Sequence, residues 1–306
     1  MLVFIGLSLI IFTWIISSPI LAIMLGIGFS LVLQPPSNNI FKKSGTKLIQ
    51  TGIIFLGLSI NLFDAIEITK TYFFTISIFV IAIFLLVLFV GKVFKIDKKF
   101  TFLVAAGSSI CGGTAMTAIS PLMKNQPSDL AAAISIIFVL NAIGIVLFPI
   151  LGHWLNLSEM EFGALAATAL HDTSAVIGAS LAYGSTALET ATTLKLARTL
   201  WIIPMLIFVS LWFKNNQRKF QVPVFIILFI FAIFIGSNVA LPIPAESIAI
   251  VSKYFLISGL FCIGSQITME SLRLMDFKKV IFTTFLWILI IPCLLYTSPS
   301  PRDLLK

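Results

Sequence analysis

The chain has 306 residues, 59% of them hydrophobic and only 10% charged, with 20 Lys and Arg against 12 Asp and Glu. A soluble domain carries about 25% charged residues, so a soluble globule is excluded. Alternating ten-residue segments, the mark of a membrane β-barrel, are absent. Apolar runs recur along the whole length and mean hydropathy is +1.10, which predicts an all-α polytopic membrane protein. The formal net charge of +8 lies in short loops between apolar runs, where it sets orientation; no nucleic-acid partner is expected.

At about 20 residues per spanning helix, the chain has room for 10–11 transmembrane helices. In chain order the predicted spans are 2–17, 19–34, 46–63, 70–91, 100–124, 129–151, 159–183, 188–213, 222–241, 247–267 and 278–296. Turn chemistry separates them at Ser17-Ser18-Pro19, at Pro35-Pro36-Ser37-Asn38-Asn39 and at Pro242-Ile243-Pro244. No charge precedes Lys42, so the start lacks the basic region of a secretory signal and 2–17 is read as a retained span. The basic loops are 35–47 (Lys42, Lys43, Lys47), 91–99 (Lys92, Lys95, Lys98, Lys99), 214–221 (Lys214, Arg218, Lys219) and 268–279 (Arg273, Lys278, Lys279). Eleven spans put all four on one side, the cytoplasmic one, with the N-terminus also inside. Loop 152–158 should share that side but has no Lys or Arg. Residues 1–297 are read as one transmembrane domain, and 298–306 as a polar tail that breaks abruptly from the last span, a truncation or an appended scar. Cys111, Cys262 and Cys293 all lie in apolar segments, with no spacing that suggests a metal or a disulfide framework; no cofactor is expected. Gly57-Leu-Ser-Ile-Asn-Leu-Phe-Asp64 resembles Gly264-Ser-Gln-Ile-Thr-Met-Glu270, and the two run in opposite directions, as in inverted repeats.

Three segments carry candidate chemistry. In Ala105-Ala-Gly-Ser-Ser-Ile-Cys-Gly-Gly-Thr-Ala-Met-Thr117, small and polar residues interrupt an apolar helix. Gly112-Gly113 can unwind it, and a half-helix starting near Thr114 would point free N–H groups at an anion. Ser108, Ser109, Cys111, Gly112, Gly113 and Thr114 are therefore candidate substrate-binding residues; close helix packing by small residues is the alternative. In Leu170-His-Asp-Thr-Ser-Ala-Val-Ile-Gly178, His171 and Asp172 lie about twelve residues into a span, at a depth where ionisable groups usually face a cavity. They are candidates for coupling or gating; the alternative is a re-entrant turn capped by Asp172. In Thr192-Thr193-Leu-Lys195-Leu-Ala-Arg198, the two cations are three apart and share a helix face, either to bind an anion or to pair with Asp172. Asn141 is the one strongly polar residue mid-way along its span, facing the same cavity or bonding a neighbouring helix. Walker A, His-Glu-x-x-His and Gly-x-Ser-x-Gly patterns are absent.

Gly-Ser-Ser-Ile-Cys-Gly-Gly-Thr-Ala, His-Asp-Thr-Ser-Ala-Val-Ile-Gly-Ala and Lys-Leu-Ala-Arg, in this order, resemble the bacterial inner-membrane family of candidate sulfate exporters. The likeness runs from about Ala22 to Leu295. That family is similar to the grouping of bile acid symporters and arsenite exporters, which implies an inverted-repeat fold with core and panel domains and broken crossing helices. The family pattern carries over to Ser109, Cys111, Gly112, His171, Lys195 and Arg198. Asp172 stands where the family often has Glu, Thr173 and Ser174 replace more apolar or amide residues, and Gly113 replaces a bulkier small residue.

These features predict a secondary transporter of the bacterial inner membrane, exporting a small anion such as sulfate or a sulfonate by alternating access. Ser108, Ser109, Thr114 and the backbone at Gly112-Gly113 would cradle the anion, Lys195 and Arg198 would supply charge, and His171 with Asp172 would couple transport to a proton or sodium ion. Oligomeric state is open, a homodimer included. The rival readings are an anion channel and a membrane-embedded enzyme with Cys111 as nucleophile, His171 as base and Asp172 or Asp129 as orienter; the transporter is preferred over an enzyme because Cys111 lies among small residues within a span.

Overall fold

A computed structural model describes residues 2–36, 38–123, 125–213, 224–239, 242–273 and 275–297, with side chains to 290. Lys214, Arg218, Lys219, the side chain of Cys293 and the tail 298–306 lie outside the described residues. Fifteen helices and no strands occur among them: α1 (Leu2–Ile16), α2 (Pro19–Leu33), α3 (Ile40–Gly57), α4 (Leu62–Val93), α5 (Lys98–Ala106), α6 (Gly113–Met123), α7 (Pro127–Trp154), α8 (Glu159–Ala169), α9 (Thr173–Tyr183), α10 (Ser185–Thr199), α11 (Ile202–Trp212), α12 (Val224–Asn238), α13 (Ala245–Gly264), α14 (Met269–Arg273) and α15 (Phe277–Thr297). A π-helical turn, Gly107–Cys111, follows α5. Side-chain oxygens take up free N–H groups at several helix starts. Ser18 caps α2, Asn39 α3, Asn61 α4 and Asp97 α5, while Ser158 and Glu161 form a reciprocal box on α8. Leu62–Val93, Pro127–Trp154, Ser185–Trp212 and Ala245–Gly264 are each long and apolar enough to cross a membrane.

The helices pack as two groups. In the first, α13 lies against α3 and α2, with α1 and α12 outside them. The pair α3 and α13 is antiparallel and close: a Cβ on Gly45 would meet Cys262, one on Gly52 would meet Leu256, and one on Gly259 would meet Ile49. Small residues let the backbones approach, and Ser252 Oγ donates to Gly52 O across the gap at 2.7 Å. The two similar segments noted in the sequence close these two partner helices at Gly57 and Gly264. The second group holds α4 to α11 and α15, and touches the first through α9, α7 and α4. Large apolar side chains such as Phe4, Phe74 and Phe89 stay exposed around the outside.

The segments expected as spans 100–124 and 159–183 are broken where the sequence indicated, at Gly112 and at Leu170-His171-Asp172. They do not continue across the bundle. Lys279 Nζ lies 2.7 Å from Asp129 at the start of α7 and 4.8 Å from the Phe100 ring at the start of α5. Segment 98–123 therefore leaves from the end it entered, and the side chain of Met116 in α6 packs back on Gly107. Likewise Tyr183, the last residue of α9, stacks on Phe162 of α8 at 3.8 Å and on His153 at the end of α7 at 4.4 Å, and donates its hydroxyl to Leu157 O. Each segment is a helix–tip–helix hairpin, and the hairpins come from opposite ends of the bundle. The expectation of broken crossing helices is corrected to two re-entrant hairpins. Eleven residues per leg in α8 and α9 reach about 16 Å at 1.5 Å per residue, half the depth of a bilayer core of about 30 Å.

The same geometry moves loop 152–158 to the end opposite the lysines. Lys42 O accepts from Gln266 Nε2, and Lys95 O from Lys278 Nζ, so the basic loops 35–47, 91–99 and 268–279 share one end. The missing Lys and Arg in 152–158 thus has its reason in the hairpins.

Candidate functional site

The two hairpin tips meet. Gly112 has φ +60° and ψ −126°, a conformation open to glycine, and a Cβ there would lie 3.2 Å from Asp172 Cα. Asp172 caps α9, its carboxylate accepting the Ser174 N–H at 3.0 Å. His171 N–H donates to Asn141 Oδ1 of α7 at 3.1 Å, which ties the second tip to a through-going helix. Asn141 therefore does bond a neighbouring element, while its Nδ2 and His171 Nδ1 have no partner and are buried.

Lys195 and Arg198 of α10 reach this junction, with 0% and 1% of their surface exposed. Arg198 is not paired with Asp172; the ion pair among the described residues is Lys279–Asp129. Instead its Nη1 donates to Ala167 O at 2.9 Å and Thr168 O at 2.8 Å, and its Nη2 to Ser108 O at 3.0 Å. Lys195 Nζ donates to Leu170 O at 2.7 Å. These are carbonyls at the C-terminal end of α8 and in the π turn after α5, where a helix leaves acceptors free and carries partial negative charge. One guanidinium thus staples both tips, and the Phe79 ring lies 5.1 Å from it. The carbonyls carry no side-chain signature, so sequence reading missed them. Asp172 is the carboxylate at the tip contact. Two fully buried basic side chains therefore share this junction with one carboxylate, Asp172.

The remaining candidates divide. Ser108, Ser109 and Cys111 are buried inside the first hairpin. Ser109 Oγ points back to Ala106 O at 3.5 Å. Gly113 is half-buried and Thr114 exposed, so the first turn of α6 is the exposed part of the tip. Beside the junction, between the two helix groups, a narrow cavity is lined by Asn141, Asp172 and Ser174 with Ile23 and Ile263. Asp129, one candidate orienter for a nucleophile, sits at the basic end with Lys279, away from the tips. No cluster of metal-ligating side chains occurs among the described residues.

Residues 2–291 match the family described as Conserved hypothetical protein 698. The chain is 37% identical over 276 residues to a UPF0324 membrane protein of Bacteroides thetaiotaomicron, covering 89% of this chain and 84% of that one. The chain belongs to this family. A UPF0324 membrane protein of Shewanella oneidensis is 38% identical over 290 residues, 94% of this chain and 92% of that one. One from Photobacterium profundum is 39% identical over 279 residues, 90% and 85%. This is the family to which the three motifs pointed, and the matched region takes in both hairpins and α10. The relatives' names and the apolar helices agree on a membrane protein. No solved structure matches the chain.

Proposed function

We propose that the protein is a secondary transporter of the bacterial inner membrane that exports a small oxyanion, such as sulfate or an organic sulfonate. The observation that carries this reading is the pair of wholly buried cations, Lys195 and Arg198, at the meeting of two hairpin tips with one carboxylate nearby. Buried charge is costly unless compensated, and a bound anion at the exposed turn of Gly113-Thr114 would compensate it. His171 and Asp172 would couple transport to a proton or sodium ion, with Asn141 positioning the tip.

The architecture supports movement of one helix group against the other, as in alternating access. On this reading the chain forms eleven apolar segments, nine crossing and two re-entrant. The basic loops would face the cytoplasm, with the N-terminus inside. An inverted repeat fits this topology: the hairpins enter from opposite ends, and α3 and α13 run antiparallel and close with similar segments. Transport is preferred to catalysis because Cys111 is buried within a hairpin, with no described bond to His171.

The test is a thermal-shift screen of the purified protein against sulfate, sulfite, thiosulfate, taurine and small carboxylates, followed by counterflow in proteoliposomes. A ligand that binds only the folded state raises the melting temperature. Saturable counterflow of the stabilising anion supports the proposal. Non-saturating flux would favour a channel, and turnover of the ligand without flux an enzyme.

A further inference from the structure

At the basic end a second cavity of about 550 Å³ opens between α4, the α4–α5 turn and α11. Lys92, Lys95 and Lys98 line it, with Trp212 on one wall and Leu88 and Ile96 among its apolar parts. No carboxylate lines it. Asp97, within the same turn, spends its Oδ1 on the Lys99 and Phe100 N–H groups at 2.9 and 3.0 Å. Lys278 adds a further ammonium at the rim, on Lys95 O. Lys98 Nζ is held over the Trp212 ring at 5.5 Å, so one cation is already placed against the aromatic wall. Lys92 and Lys95 are exposed, and no acceptor for either ammonium occurs among the described interactions.

Two features decide what such a cavity would take. Three like charges around a hollow favour an anion over any other ligand. The hollow also borders apolar exposed surface: Trp212 on its wall is 54% exposed, and Phe89 and Val93, near Lys92 on α4 outside the lining, are 67% and 61% exposed. An aromatic ring and lysines at the edge of an apolar belt are the surroundings of lipid headgroups. We propose that this cleft binds the headgroup phosphate of an anionic phospholipid, with the lysines on the phosphate oxygens, Trp212 at the glycerol level and an acyl chain along α4. The cleft is built partly from the first turns of α5, the base of the first hairpin. A bound lipid would therefore hold the hairpin's root while its tip works. This site is separate from the tip junction and stands whether or not the protein carries sulfate.

The experiment is native mass spectrometry of the purified full chain with phosphatidylglycerol and phosphatidylethanolamine. The wild type should retain phosphatidylglycerol in preference. Each basic residue near an anionic surface is worth about fivefold, so K92Q/K95Q/K98Q should lose that preference by roughly tenfold or more. K42Q/K43Q/K47Q, with the same charge change in another basic loop, should keep it. Trp212→Ala, with every charge in place, should weaken retention and decides the matter if the triple variant does not fold. Equal retention in wild type, K92Q/K95Q/K98Q and Trp212→Ala overturns the proposal, as does an equal loss in the control triple. Displacement of the lipid by millimolar inorganic phosphate overturns it too, because the cleft would then be a soluble-anion site.

Discussion

Arg198 is the residue whose removal should tell most about how the hairpins are held. Its guanidinium makes three hydrogen bonds to backbone carbonyls, two on the second hairpin and one on the first. Hydrogen bonds to charged groups contribute about 1.5–3 kcal/mol each. The three share one side chain and one pocket, so they do not add. Arg198→Ala also leaves Ala167 O, Thr168 O and Ser108 O without that donor at a buried site. The expected loss is about 3–5 kcal/mol, the range for breaking a buried charged contact from one side. For a domain of this size that lowers melting by on the order of 10 °C. Arg198→Lys keeps the charge but loses the planar fork; one ammonium can serve the α8 carbonyls or Ser108 O but not both tips, and about half the loss should remain. The assay is thermal melting of purified variants in one detergent. Because Asp172 caps α9 and does not pair with Arg198, the double change Arg198→Ala with Asp172→Ala should be no more stable than the single. A double variant that recovers wild-type melting would show that the two residues form an ion pair and that the staple reasoning is wrong. So would an Arg198→Ala protein that melts within a degree of wild type.

Gly112→Ala forces a side chain into a left-handed conformation and into Asp172 at the tip contact; melting should fall by the equivalent of about 1–3 kcal/mol, and an unchanged melt would mean the tips do not touch. Asn141→Leu removes the acceptor of the His171 N–H and should cost about 1–3 kcal/mol by the same assay. Single cysteines at Lys98, Gln126 and Asn156, in a background without native cysteines, test the hairpins: positions 98 and 126 should react with an impermeant maleimide from one face of the membrane and 156 from the other. Labelling of 98 and 126 from opposite faces would restore the first segment as a full span.

Much of this was legible in the residues. The interruptions at Gly112-Gly113 and His171-Asp172 mark the two tips because small and ionisable residues at such depth are tolerated only in an interior. The cap role of Asp172 and the burial of Lys195 and Arg198 follow from residue type and position. Direction did not follow, because an apolar segment of 26 residues reads as a span whether it crosses or doubles back. Two signals were available. Loop 152–158 lacks basic residues on the side where eleven spans require them, and Lys124 falls on the side where they exclude it. Turning both segments into hairpins removes both conflicts and leaves every basic loop where it was. The partners of Arg198 were beyond reach, since a carbonyl is present at every residue and only the fold selects Ala167, Thr168 and Ser108.

The junction separates holding from binding. The C-terminal helix ends at the tips, with their partial negative charge, are matched by Lys195 and Arg198. Of the two N-terminal ends, that of α9 is capped by Asp172, while α6 begins with a half-buried Gly113 and an exposed Thr114. An incoming oxyanion would therefore meet the start of α6, with the buried cations behind it supplying the field. Thr114→Val tests this division. It changes one exposed hydroxyl, so melting should stay within about 0.5 kcal/mol of wild type. The affinity for whichever anion stabilises the wild type should fall by about fivefold to tenfold, the equivalent of one hydrogen bond. Isothermal titration and melting on the same preparations read the two quantities separately. Unchanged affinity in Thr114→Val, together with an Arg198→Lys protein of wild-type stability and lost affinity, would put the anion on the guanidinium instead. Arg198 would then be a ligand and the two hairpins would have to be held by something else.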